Sequence, residues 1–248
     1  MRTFIVAAVL IVWTAAPALA QPPSLSQSPS HEHLEALKHL RFGQDALRFE
    51  QFDRAETEFQ AAIRFEPSLE LAHYGLGQVY MATKRYPAAV RAYLGCRDAF
   101  VVSNRQRALG DLRAQMALAD QISAIEAQET AVAVGGGSGQ KFELDRTIAD
   151  LRAMQRRSTS TSGIPAWISI ALGSAYFRSG ELADAEREYL AAAEADPKLG
   201  EAHNNLAVVY VETGRYAEAQ AAIAAAEKRG FRVNPQLKAD VKKLQGRS

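Results

Sequence analysis

The strongest constraint on this chain is a spacing of small residues. Gly43 and Gly77 lie 34 residues apart, and so do Gly173 and Ala207. Setting these four in register aligns other columns. Twelve residues on stand Ala55, Ala89, Ala185 and Ala219; then Phe59, Tyr93, Tyr189 and Ile223; then Ala62, Cys96, Ala192 and Ala226. Phe52, Tyr86, Leu182 and Tyr216 form a further column, Leu76, Leu172 and Leu206 another, and Pro67 and Pro197 close the first and third units. Each unit reads as two amphipathic helices, A and B, with a tight turn near Glu50, Lys84, Gly180 and Gly214. The small residues sit where A and B approach closely, and the aromatics fill the space between neighbours. A proline ends helix B and suits the first turn of the next helix. One such unit cannot bury its apolar face alone, so the units must stack and share a continuous core.

The stretches "AHYGLGQVYMATKRYPAAVRAY", "ISIALGSAYFRSGELADAEREYLAAAEADP" and "AHNNLAVVYVETGRYAEAQAAI" resemble the tetratricopeptide repeat. "KHLRFGQDALRFEQFDRAETEFQAAIRFEP" is similar too, with Ala46 where the others carry tyrosine. The resemblance covers about 136 residues in two pairs: Ala36–Leu69 with Glu70 to about Ser103, then Ala166–Leu199 with Gly200–Val233. It implies an all-α solenoid of helical hairpins.

The period breaks between the pairs, because 96 residues separate Ala89 from Ala185. The second unit has Val101 where a closing proline would stand, so its helix B can run on. Asn104–Thr130 reads as a long helix with Leu109, Leu112, Met116, Ala119, Ile122 and Ile125 on one side. Gly135–Gly139 breaks it, and "KFELDRTIADLRAMQRR" resumes with Leu144, Ile148, Leu151 and Met154. Ser158–Gly163 is a tether. The expectation is an antiparallel helical hairpin that either projects from the solenoid or folds against it. Its stripe serves as packing or as a dimerisation coiled coil. At the chain end Gly230 can stop a helix in the left-handed conformation, Asn234 can cap another, and Pro235 suits its first position. Leu237, Val241 and Leu244 then face inward and Lys238, Lys242 and Lys243 outward, as a capping helix requires.

The expected division is therefore a signal peptide at 1–20, a disordered lead at 21–35, repeats at 36–103, the insertion at 104–165, repeats at 166–233 and a cap at 234–248. "MRTFIVAAVLIVWTAAPALA" has one positive charge, a short apolar run and a small-x-small end at Ala18–Ala20. Cleavage after Ala20 would place the protein in the periplasm or outside the cell. The alternative is a membrane anchor at residues 4–20, and no other stretch is apolar enough to span a membrane. The net charge is +1, and removing Arg2 brings it to zero, which argues against nucleic acid as a partner. A single cysteine, Cys96, excludes an internal disulfide and a thiolate metal cage.

No catalytic constellation is visible, and no cofactor or metal is expected. His31 and His33 stand two apart and cannot face each other on a helix. His73 and His203 share one repeat position, which points to a structural slot. Glycine-rich phosphate loops and G-x-S-x-G turns are both missing. Asp184, Glu186, Glu188 and Glu194 read as solvated faces. The expectation is a non-enzyme.

In the family that the repeats resemble, A helices line a concave groove. That resemblance implies groove positions at Leu40, Arg41, Gln44, Leu47 and Arg48, at Tyr74, Gln78 and Met81, and at Trp167, Ile170, Ser174, Phe177 and Arg178. Asn204, Asn205, Val208 and Glu212 complete the set. Amides would hold a peptide backbone, apolar side chains its side chains, and arginines its acidic groups. Relatives that clamp a C-terminal carboxylate use a lysine where Leu40, Tyr74, Ile170 and Asn204 stand here. Only Asn205 matches a clamp asparagine, so that function is not implied. The leading expectation is an exported adaptor that binds a protein or peptide segment. The alternative is an envelope assembly subunit that forms homo-oligomers through the hairpin at 104–157.

Overall fold

A computed structural model of the chain describes residues 30–134, 138–157 and 163–246. The expected signal peptide at 1–20, most of the expected lead, the glycines 135–137 and the expected tether at 158–162 lie outside the described residues. The described chain forms ten helices and no strand: α1 (His31–Arg48), α2 (Phe52–Phe65), α3 (Glu70–Ala82), α4 (Tyr86–Val134), α5 (Ser138–Arg157), α6 (Ala166–Ser179), α7 (Leu182–Ala195), α8 (Gly200–Glu212), α9 (Tyr216–Lys228) and α10 (Pro235–Gln245).

Four A/B hairpins arise from one turn used four times. Glu50, Lys84, Gly180 and Gly214 have φ of 55°, 60°, 84° and 74°, the left-handed region. The amide after each reaches back to a carbonyl five residues earlier: Gln51 to Ala46, Arg85 to Tyr80, Glu181 to Tyr176 and Arg215 to Tyr210, at 2.7 to 2.9 Å. This satisfies the carbonyls that a helix end leaves open. The small column explains the close approach within each hairpin. A Cβ on Gly43 would lie 2.7 Å from the Phe59 ring, and one on Gly173 would lie 2.6 Å from Tyr189. The fourth unit keeps the volume by exchanging both partners, for buried Ala207 and Ile223.

The expected all-α solenoid, with two pairs of repeats interrupted by a helical hairpin and closed by a terminal helix, is what the structure has. α4 passes from the second unit into the insertion without a break, and α5 packs against it. Ile122 of α4 and Ile148 of α5 are buried, and Arg152 meets Glu126 at 2.6 Å. α6 then packs against α4, as α3 packs against α2, so the third unit stacks on the second. The insertion is thus an excursion that leaves the stack continuous. Arg97 of α4 and the buried Glu188 of α7 join the two pairs at 3.0 Å. α10 packs on α9 and buries Val241, with Asn234 accepting the amide of Gln236 at its start.

Several details depart from expectation. α1 starts at His31, so residues 31–35 are a helical turn rather than part of a disordered lead. Ser30 caps that turn by accepting the His33 amide at 3.1 Å, and His33 holds it to Glu66 at 2.7 Å. Pro67 and Pro197 lie in the turns before α3 and α8, ahead of the first helical residue. Their imino nitrogens need no partner there, and their carbonyls accept from His73 Nε2 (3.0 Å) and Arg229 Nε (2.7 Å). The shared position of His73 and His203 is therefore used in two ways. α5 begins at Ser138, inside the glycine-rich run. Leu109, Leu112 and Met116 are exposed, so α5 covers only the far half of the expected stripe.

Candidate functional site

α3, α6 and the start of α8 stand side by side along one face of the stack and bound a cavity of about 720 Å³. Tyr74, Gln78 and Met81 come from α3, while Trp167, Ile170 and Ser174 come from α6. Setting Gly77 against Gly173 makes Tyr74 and Ile170, and likewise Gln78 and Ser174, equivalent points on the two A helices, and the stacking of the third unit on the second brings them side by side. Tyr74 meets Trp167 edge-on at 5.0 Å and Tyr93 at 5.5 Å, which makes a three-ring wall. Trp167 remains 38% exposed, unusual for a side chain of its apolar area. Burial raises the phenol of Tyr74 above its usual value and that of Tyr93 further, so both stay neutral donors. Ser174 donates to the Ile170 carbonyl at 2.8 Å and accepts from Tyr189 at 3.2 Å, so its hydroxyl is held in place.

Sequence reasoning missed the other side of the cavity. Asp196 and Glu201 line it, and among the described residues no lysine or arginine does. Asp196 accepts the Lys198 amide at 3.0 Å, which fixes the turn before α8. Glu201 stands one repeat on from Trp167, so extending that column by 34 residues would have found it.

The remaining groove candidates lie elsewhere. Arg41, Gln44 and Arg48 are exposed along α1, Leu40 is buried in the core, and Leu47 packs against it. Phe177 joins the core from α6, and Arg178 stacks over Tyr86 at 5.6 Å. Asn204 donates to Asn205 at 3.3 Å, and both are half-buried on α8 with Val208, while Glu212 is exposed. Burial and Arg229 lower the pKa of His203 below its usual value. Cys96 is fully buried, and burial pushes its thiol up to about 12. Among the described residues no group of three or more His, Cys, Asp or Glu could hold a metal ion. Nor is any helix there long and apolar enough to cross a membrane.

Stacked A/B hairpins with a recessed face built from successive A helices define a helical-repeat scaffold. The chain belongs to the tetratricopeptide repeat family, whose profile matches residues 40–99 and 170–233. Proteins of this family typically mediate protein–protein interaction as non-catalytic scaffolds. Similar solved chains include a point mutant of MamA (14% identity, 81% of each chain covered, TM-score 0.46). PilW, a type IV pilus biogenesis factor, is 14% identical over 85% of this chain and 86% of its own, with a TM-score of 0.41. A thermophilic repeat protein of Thermus thermophilus is 19% identical over 85% and 98%, with a TM-score of 0.35. No curated protein matches this chain.

Proposed function

We propose that the protein is an exported adaptor that holds an extended protein segment against α3, α6 and α8. The observation that carries this is the cavity between the second and third units, with exposed Trp167 at its mouth. Its rings and Met81 suit an aromatic or aliphatic side chain, and Gln78 offers an amide to a passing backbone. Asp196 and Glu201 favour a lysine or arginine beside that side chain. This reverses the preference for acidic groups that the arginines of the A helices implied. Asn204 and Asn205 extend the same run of A helices toward the last unit. Export rests on the sequence of residues 1–20. The division into that segment, paired units at 36–103 and 166–233, an insertion at 104–165 and a cap at 234–248 belongs to the same reading.

Selection from a random displayed-peptide library tests the groove. The expected winners carry an apolar residue next to lysine or arginine and bind a Trp167→Ala variant far less well. Winners that bind this variant equally, or that are acidic, would sink the assignment. N-terminal sequencing of the mature protein tests export, with Gln21 expected as the first residue.

A second reading, an envelope assembly subunit that oligomerises through the hairpin, is favoured by one observation. The α4 stripe of Leu109, Leu112 and Met116 is exposed among the described residues.

A further inference from the structure

Beyond its repeat, α4 carries two apolar stripes. Leu118, Ile122 and Ile125 face α5, and Ile122 is buried there. Val102, Leu109, Leu112 and Met116 lie nearly half a turn round the helix from these, about 160° on average at 100° per residue. They are 46%, 48%, 52% and 61% exposed. Four large apolar side chains in one row, each about half open to water, are more than scattered surface residues require. The row continues past Leu109 to Val102 on an exposed side of α4.

The charges on this row point to its occupant. Arg105 lies four residues before Leu109, and Asp120 four after Met116. Neither makes an ion pair or hydrogen bond within the chain among the described residues. An antiparallel copy with its twofold axis beside Leu112 sets Leu109 against the partner's Met116. The same register sets Arg105 against the partner's Asp120, twice over. A parallel copy would oppose arginine to arginine and aspartate to aspartate, so the charges select the antiparallel pair.

We propose that two copies of the chain associate through this stripe as an antiparallel pair of α4 helices. This deepens the assembly reading and leaves the cavity at Trp167 free, so the two stand or fall separately. The seam, about 30 Å long at 1.5 Å per residue, falls short of four heptads, and the dimer is reversible.

Sedimentation of the full chain over a concentration series is the test. The wild type is expected to pass from monomer to dimer. Arg105→Asp and Asp120→Arg should each weaken association by about tenfold or more, since each places two like charges in contact. The double variant Arg105→Asp/Asp120→Arg should restore it, and Leu112→Asp should abolish it. All three positions are exposed, so unchanged circular dichroism melts of the monomers confirm intact folds. A wild type that is monomeric at every concentration overturns the proposal. So does a dimer indifferent to Leu112→Asp, or a double variant as weak as the single ones.

Discussion

Lys84 and Gly180 hold the same turn with different side chains. A non-glycine residue in the left-handed region costs roughly 1–2 kcal/mol, partly offset by the smaller entropy that its unfolded chain carries. Lys84→Gly should therefore stabilise the protein by about 0.5–1 kcal/mol, and Gly180→Ala should destabilise it by a similar amount. Urea unfolding reads both, and equal signs would contradict the turn account. The glycines at the A/B crossing have another cause. Gly43 and Gly173 are small because an aromatic ring from helix B occupies the place of their Cβ. Both kinds of position were legible in the sequence, since both recur in register. The exchange of Gly and Tyr for Ala207 and Ile223 was visible only as two columns that change together.

At the scale of elements, the ties between neighbouring units were less legible. Arg85 grips Glu56 with two bonds (2.7 and 2.9 Å) and stacks 4.3 Å over Tyr80. Arg215 repeats this with Glu186 (2.7 and 3.0 Å) and Tyr210 (4.3 Å), one pair of repeats later. The matching residues recur between pairs and not between consecutive units, so a 34-residue register hides them. Arg85 holds the Glu56 carboxyl below its ordinary 4.5. The folded-state pKa is thus depressed, and the tie contributes stability above the unfolded value and loses it as pH falls through the folded one. Glu56→Gln should flatten that acid limb in melting temperatures measured from pH 6 to pH 3, a range that brackets the ordinary carboxylate value of about 4. An unchanged limb would remove Glu56 from the account. Between the pairs, Arg97 is the partner of buried Glu188. Arg97→Ala leaves a buried carboxylate unpaired and should cost about 2 kcal/mol in chemical unfolding. A loss below a few tenths would mean that water replaces the arginine.

For the whole molecule, the sequence showed two pairs of repeats and a break but not how the break is bridged. Periodicity reports local pairing, and the 96 residues from Ala89 to Ala185 carry no register of their own. The bridge is α4 itself: its first turns complete the second unit, its far half pairs with α5, and α6 docks on its root. For that reason the cavity could not be read directly. Tyr74 and Trp167 are adjacent only because the excursion returns the chain to the stack, and Asp196 and Glu201 join them from the next turn on. The same geometry supplies a reporter. The sequence has two tryptophans, and Trp13 lies within residues 1–20, so a chain beginning at Gln21 keeps only Trp167. Titrating that chain with a blocked peptide in which phenylalanine precedes lysine tests the central claim most directly. Trp167 emission should change saturably, and Tyr74→Ala or Glu201→Lys should abolish the change. A peptide that binds without altering Trp167 emission, or that binds the Glu201→Lys variant equally well, would contradict the claim.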